Sequence, residues 1–218
     1  MRVIIKPAGF IALLLMLSVL GIMAFLRNQS SSADTDSANT TLPATTTLTA
    51  PNNLLINASF EDGSEQVNGS WPGSKGSATG EIAKNWIENS LWGEIKLEYA
   101  LDKENPHSGS TSQRIKIVSN AAGQVQFVQE RPAVVGKNYE ATVWVRASEG
   151  NLPVGLLLRQ ASEPYKPYKS SDVTVGTKWQ KISVVGSPTE AGNMYTLITF
   201  KNVGATLWID DASLVEVP

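Results

Sequence analysis

Asn138–Ser148 reads NYEATVWVRAS, and its alternation decides the architecture. Tyr139, Ala141, Val143 and Val145 fall on one parity; Glu140, Thr142, Trp144 and Arg146 fall on the other. Successive strand side chains point to opposite faces, so this is a half-buried strand with the first set in a core. The second face is polar and carries one large aromatic. The division recurs on both sides of the stretch. In AGQVQFVQE, Val125 and Phe127 oppose Gln124 and Gln126. In MYTLITFKN, Met194, Thr196, Ile198 and Phe200 oppose Tyr195, Leu197, Thr199 and Lys201.

Working outward, strands are expected at Leu54–Phe60, Glu94–Ala100, Gln113–Ser119, Gly123–Gln129 and Tyr139–Ala147. Others are expected at Val154–Gln160, Trp179–Val185, Tyr195–Asn202 and Thr206–Val217. Gly, Pro and Asn punctuate them, and no persuasive helix of three turns intervenes. Many short strands in one domain mean an all-β sandwich or barrel. The last strand, TLWIDDASLVEV, poses a question. Asp210 shares parity with Trp208, Ala212 and Leu214, whereas Asp211 shares it with Leu207, Ile209, Val215 and Val217. By parity Asp211 is the more buried, and a bare buried carboxylate is costly unless it is paired or metal-bound.

Residues 52–218 form this domain. Residues 1–27 hold an uncharged apolar run at 8–26, preceded by Arg2 and Lys6 and followed by Arg27. As a helix the run would rise about 28 Å, roughly a bilayer core. It is read as an uncleaved signal anchor with its amino terminus inside; a secretory signal peptide cut near Ser31-Ser32-Ala33 is the alternative. Residues 28–51, NQSSSADTDSANTTLPATTTLTAP, are too polar to build a core and read as a disordered tether. The domain is therefore expected outside the cytoplasm, membrane-anchored or secreted.

Composition removes several function classes. The 218 residues carry a formal charge of −2, which speaks against a nucleic-acid partner. There is no cysteine and one histidine, His107, so thiolate chemistry, a multi-histidine zinc site and a Ser-His-Asp triad find little support. His107 lies in ENPHSGS and reads as a turn residue rather than a general base. Polar faces bearing amides, arginine and aromatics suit sugars, whose rings stack on aromatic side chains and whose hydroxyls take hydrogen bonds. Ordinary solvated sheet faces are the competing reading.

Six motifs then occur in order: NLLINASFEDG from Asn53, NWIENS from Asn85, HSGSTSQRIKI from His107, GKNYEATVWVRAS from Gly136, VTVGTKWQKISV from Val173 and the terminal TLWIDDASLVEV. Together they resemble the carbohydrate-binding modules of the family 4, 9 and 22 group. The resemblance implies a jelly roll of two sheets that binds a polysaccharide or glycan without catalysis. Such modules are often attached to glycanases, so a glycanase or another cell-surface protein is an implied partner.

The same resemblance implies a structural calcium. Glu61 and Asp210 would supply carboxylates, with Asp211 as a second candidate, and backbone carbonyls near Ser59, His107 and Ser110 would complete the shell. A bulge would reconcile the choice of Asp210 with the parity count. Sugar contacts are expected from Trp144 and Arg146 on the central strand, from Gln124 and Gln126 on a neighbouring strand, and from Trp92, Tyr165 and Tyr168 in loops. Trp86 and Trp179 match framework positions and are expected in the core. A structural or adhesion domain without a sugar site is the alternative. A glycoside hydrolase or lyase is a third reading, requiring two carboxylates facing one cleft.

Overall fold

The computed structural model describes residues 52–218; the anchor and tether expectations fall outside them. Twelve strands make two sheets. In chain order they are β1 (Ser64–Gly69), β2 (Ser77–Ala83), β3 (Ile87–Glu88), β4 (Glu94–Asp102), β5 (Ser112–Ala122) and β6 (Val125–Ala133). There follow β7 (Asn138–Ala147), β8 (Leu152–Gln160), β9 (Pro167–Val175), β10 (Gln180–Gly186), β11 (Gly192–Phe200) and β12 (Thr206–Val217). The seven-stranded sheet runs β1-β2-β4-β5-β12-β7-β10 and the five-stranded sheet β3-β6-β11-β8-β9. Every pairing is antiparallel except β2 with β4, which is parallel. The chain crosses to the other sheet at β3 between them and returns in the same direction.

The inward parities found in the sequence form the shared core. Ala141, Val143 and Val145 of β7 face Met194, Ile198 and Phe200 of β11 within one buried cluster. Trp86 lies there as expected, its ring stacked 4.6 Å from Phe127 and its Nε1–H donating to the Asn57 carbonyl at 3.1 Å. Trp179 does not; it is half-buried on the outer face of the seven-stranded sheet.

The expected strand Leu54–Phe60 is not one. Asn57 and Phe60 hold positive φ angles of 49° and 62°, which break an extended run. The segment still runs beside β12: Leu54 N–H reaches Leu214 O at 2.8 Å, and Ala212 N–H reaches Ala58 O at 2.8 Å. Strands β1, β2, β3 and β9 escaped the sequence reading. β1 and β9 are mostly polar edge strands, and β3 has only two residues.

Candidate functional site

β12 carries a bulge. Its register against β7 shifts between Asp210 and Ser213, and Asp211 sits at φ 42°. The extra residue swaps the faces, so Ile209 and Ala212 both point into the core. Asp210 lies opposite Trp144 on the outer face, yet it is fully buried. This corrects the parity count, which made Asp211 the buried one. The lid over Asp210 is the turn His107–Thr111, which precedes β5.

Carboxylates grip that turn along its length. Asp210 Oδ2 accepts the His107 N–H at 2.8 Å and the Ser108 N–H at 3.2 Å, while its Oδ1 accepts the Asp211 N–H at 2.8 Å. Asp211 accepts His107 Nδ1–H at 2.5 Å and the Ser108 hydroxyl at 2.8 Å. A carboxylate can only accept, so the proton sits on Nδ1. Glu61 takes the other half: Oε1 accepts the Ser110 and Thr111 N–H groups at 2.8 and 2.9 Å, and Oε2 accepts the Ser110 hydroxyl at 2.5 Å. Gly109, at φ 61°, lies against Glu61 so closely that a Cβ would collide with Oε1.

The electrostatics follow. Burial, reinforced by the Asp211 charge, pushes Asp210 up to about 6 against the hydrogen bonds it accepts. For Glu61 burial is outweighed by the hydrogen bonds from Ser110 and Thr111, which hold it below the usual carboxylate range. All six oxygens of Glu61, Asp210 and Asp211 thus accept an N–H or O–H. Among the described residues no three His, Asp or Glu side chains converge as a metal cage. In this arrangement the oxygens serve the turn.

A tryptophan and arginine stack backs the same loop. The His107 ring stacks on Trp144 with centroids 3.9 Å apart and meets Trp179 edge-on at 5.8 Å. The Arg146 guanidinium lies 3.9 Å from the Trp208 ring and 5.3 Å from the Trp179 ring, and it donates to the Glu104 carbonyl at 3.1 Å. Trp179 Nε1–H reaches Asn105 O at 3.1 Å, and Trp208 Nε1–H reaches Asp102 Oδ2 at 2.7 Å. Trp144 and Arg146, expected to meet sugar, are occupied in seating the β4–β5 loop. Gln124 and Gln126 cannot join them, because β6 belongs to the other sheet.

The outer face of the five-stranded sheet looks different. Cross-strand rows place Gln126, Thr199, Gly155 and Asp172 side by side, then Val128, Leu197, Leu157 and Ser170, then Glu130, Tyr195 and Arg159. Val128 and Leu197 are buried yet stand outside the main core cluster, so they floor this outer face. Above them the Arg159 guanidinium lies between Tyr165 and Tyr195, 5.3 and 5.6 Å from the two rings, and donates to Gln126 Oε1 at 3.3 Å. Asn89 Nδ2–H donates to the same Oε1 at 2.9 Å. Arg159 Nε is buried without a partner. Burial lowers the Arg159 pKa, opposed by Tyr195 and Tyr165.

The expected ligand residues therefore separate. Gln126 and exposed Tyr165 join this face. Tyr168 lies in β9, half-buried against the core, and is not a loop aromatic. Trp92 is exposed and lines a cavity with Gln124 at one end of the sandwich. Sequence reasoning missed Arg159 and Tyr195 as partners. Tyr195 stood on the outward parity of its strand, but Arg159 shares parity only with Pro153, Gly155 and Leu157, and only the register brings the two together.

Among solved structures the chain is similar to a family 4 carbohydrate-binding module, at 16% identity and a TM-score of 0.50 over 74% of this chain and 99% of that one. The fold is that of the carbohydrate-binding β-sandwich modules. A tandem of two family 22 modules from Paenibacillus barcinonensis Xyn10C aligns at 13% identity and a TM-score of 0.52, over 76% of this chain and 46% of that one. The enzymatically active domain of bacteriophage CBA120 tailspike protein 4 aligns at 13% and 0.51, over 76% of this chain. The chain spans 21% of that tailspike domain. No protein-family model and no curated protein matches the sequence. At these identities the likeness concerns the fold.

Proposed function

We propose that the protein binds a polysaccharide or glycan, without catalysis, on the outer face of its five-stranded sheet. The observation that carries this is the Tyr165–Arg159–Tyr195 cluster beside Gln126 above an apolar floor. Rings offer stacking planes, while the guanidinium and amides offer donors. A glycosidase would need two carboxyl groups within about 5–9.5 Å. The carboxylates of this face, Glu130 and Asp172, lie on β6 and β9, three strand spacings or about 14 Å apart across the sheet and four residues offset along it. That separation favours binding over hydrolysis.

Affinity electrophoresis of the full-length chain in mild detergent, against xylan, β-glucan, cellulose and chitin, tests the reading. Retention lost in Tyr195→Ala and Arg159→Ala supports it. No retention on any polymer by a cooperatively melting protein moves the assignment to a structural or protein-binding sandwich.

The apolar segment 8–26 and the tether 28–51 support display outside the membrane, by anchoring or secretion, beside a glycanase or other surface protein; cell fractionation tests this. Calcium is a further part of the proposal. Hard oxygen ligands gathered at one turn are the chemistry such an ion takes. The ion would have to displace N–H donors from Glu61 or Asp210. A melting temperature raised by calcium and lowered by chelator supports it; no shift leaves the turn to its hydrogen bonds.

A further inference from the structure

The end of the sandwich holds a second groove, apart from the sheet face. Trp92, Gln124, Lys75, Glu94 and Lys201 line a cavity of about 510 Å³. A larger cavity of about 900 Å³ shares Lys75 and Glu94 with it and adds Lys96 and Asn120. The sharing makes one continuous groove. Within it a Cβ on Gly93 would lie 2.7 Å from Ala122 O and 2.8 Å from Gly123 Cα, so only glycine allows this approach. The Trp92 indole beside it is 52% exposed.

Charge and hydrogen bonding give the groove its chemistry. Three lysines face one glutamate, in a chain whose formal charge is −2. None of Lys75, Lys96 and Lys201 has a carboxylate partner among the described residues, as is true of most described lysines, so their charges are open to a ligand. The Asn120 amide donates to Gly123 O at 3.0 Å and Lys201 O at 2.9 Å, which turns its Oδ1 into a fixed acceptor. That Oδ1 is itself shielded from solvent, so the amide braces the groove wall rather than facing a ligand.

We propose that this groove binds an anionic polysaccharide, its sugar ring stacked on Trp92 and its acid groups on the three lysines. The acid can be a carboxylate or a sulfate ester; ammonium groups take both as point charges. The site is independent of the Arg159 face.

The test is affinity electrophoresis of the full-length chain in mild detergent on polygalacturonate, dextran sulfate and neutral dextran, at low and moderate salt. Retention is expected on one or both acidic polymers, weakening with salt. Which polymer retains the protein distinguishes carboxylate from sulfate. Trp92→Ala and the double variant Lys75→Ala/Lys201→Ala should each weaken retention about tenfold. The double variant Lys178→Ala/Lys181→Ala, at exposed lysines in and just before β10, should leave it unchanged, which separates the groove from surface charge elsewhere. Three results would overturn the proposal: no retention on either acid polymer, equal retention on neutral dextran, or acid binding insensitive to Trp92→Ala, which would mark diffuse surface charge.

Discussion

Asp210→Ala is the most informative single change. The side chain is fully buried and accepts three backbone N–H groups, from His107, Ser108 and Asp211. Hydrogen bonds to a charged acceptor contribute roughly 1.5–3 kcal/mol each, so three give at least about 4.5 kcal/mol. That gain is gross: the pKa of about 6 already includes these bonds, so burial of the carboxylate outweighs them in part, and the alanine removes that cost. What the alanine loses is the acceptor, and the His107 and Ser108 N–H groups left without one cost about 1 kcal/mol or more each, a net loss of about 2 kcal/mol or more. For a domain of this size each kcal/mol moves the melting temperature by about 2–4 °C, so a fall of about 4–8 °C is expected. Calorimetry in chelator reads it without any contribution from metal. Hydrogen exchange should show the His107 and Ser108 amides exposed while the β7 amides stay protected. A variant melting within 1 °C of wild type, with those two amides still protected, would refute the view that Asp210 holds the turn.

Gly109→Ala should lower stability by about 1–3 kcal/mol, because φ 61° strains any side chain and its Cβ meets Glu61; denaturant melts measure it. Phe127→Ala should cost about 3–5 kcal/mol, since the ring is fully buried and stacks on Trp86. Glu88 gives a pH prediction. Burial raises its pKa above 4.5 despite the hydrogen bonds from Ser90. The native state then holds a proton longer than the unfolded chain, so this group's contribution to stability falls as pH rises above about 4.5. Glu88→Gln should flatten that decline in melts recorded from pH 4 to 8, and an unchanged slope would count against it.

The fold was legible wherever one strand parity met the core. Tyr139 to Ala147 and Met194 to Phe200 could be assigned from alternation because each faces the core on one side only. Leu54–Phe60 misled for the opposite reason: Leu55 and Phe60 pack while Leu54 and Ile56 stay exposed, and Asn57 and Phe60 turn the backbone to positive φ, which composition does not announce. The terminal aspartates were recognisable as special, and the bulge that decides between them was anticipated. Of their partners, His107 was brought near them only by the resemblance, as a carbonyl rather than an N–H, and Ser108 was not named, because both lie about a hundred residues away and approach only through the β4–β5 loop. The site was harder still. Trp144 and Arg146 sat on a correctly assigned outer face, yet the sequence gives no sign that a loop lies across it. Gln126 and Arg159 meet because β11 separates their strands, a matter of sheet order rather than of local pattern.

The central claim concerns which face takes the ligand. An NMR titration of the isotopically labelled chain, with whichever oligosaccharide is first retained, reads this directly. The account predicts shifts confined to β6, β8 and β11, led by the Gln126, Arg159 and Tyr195 signals, for a neutral sugar. Shifts centred instead on Trp144, Trp179 and Trp208, with the five-stranded face unmoved, would contradict it.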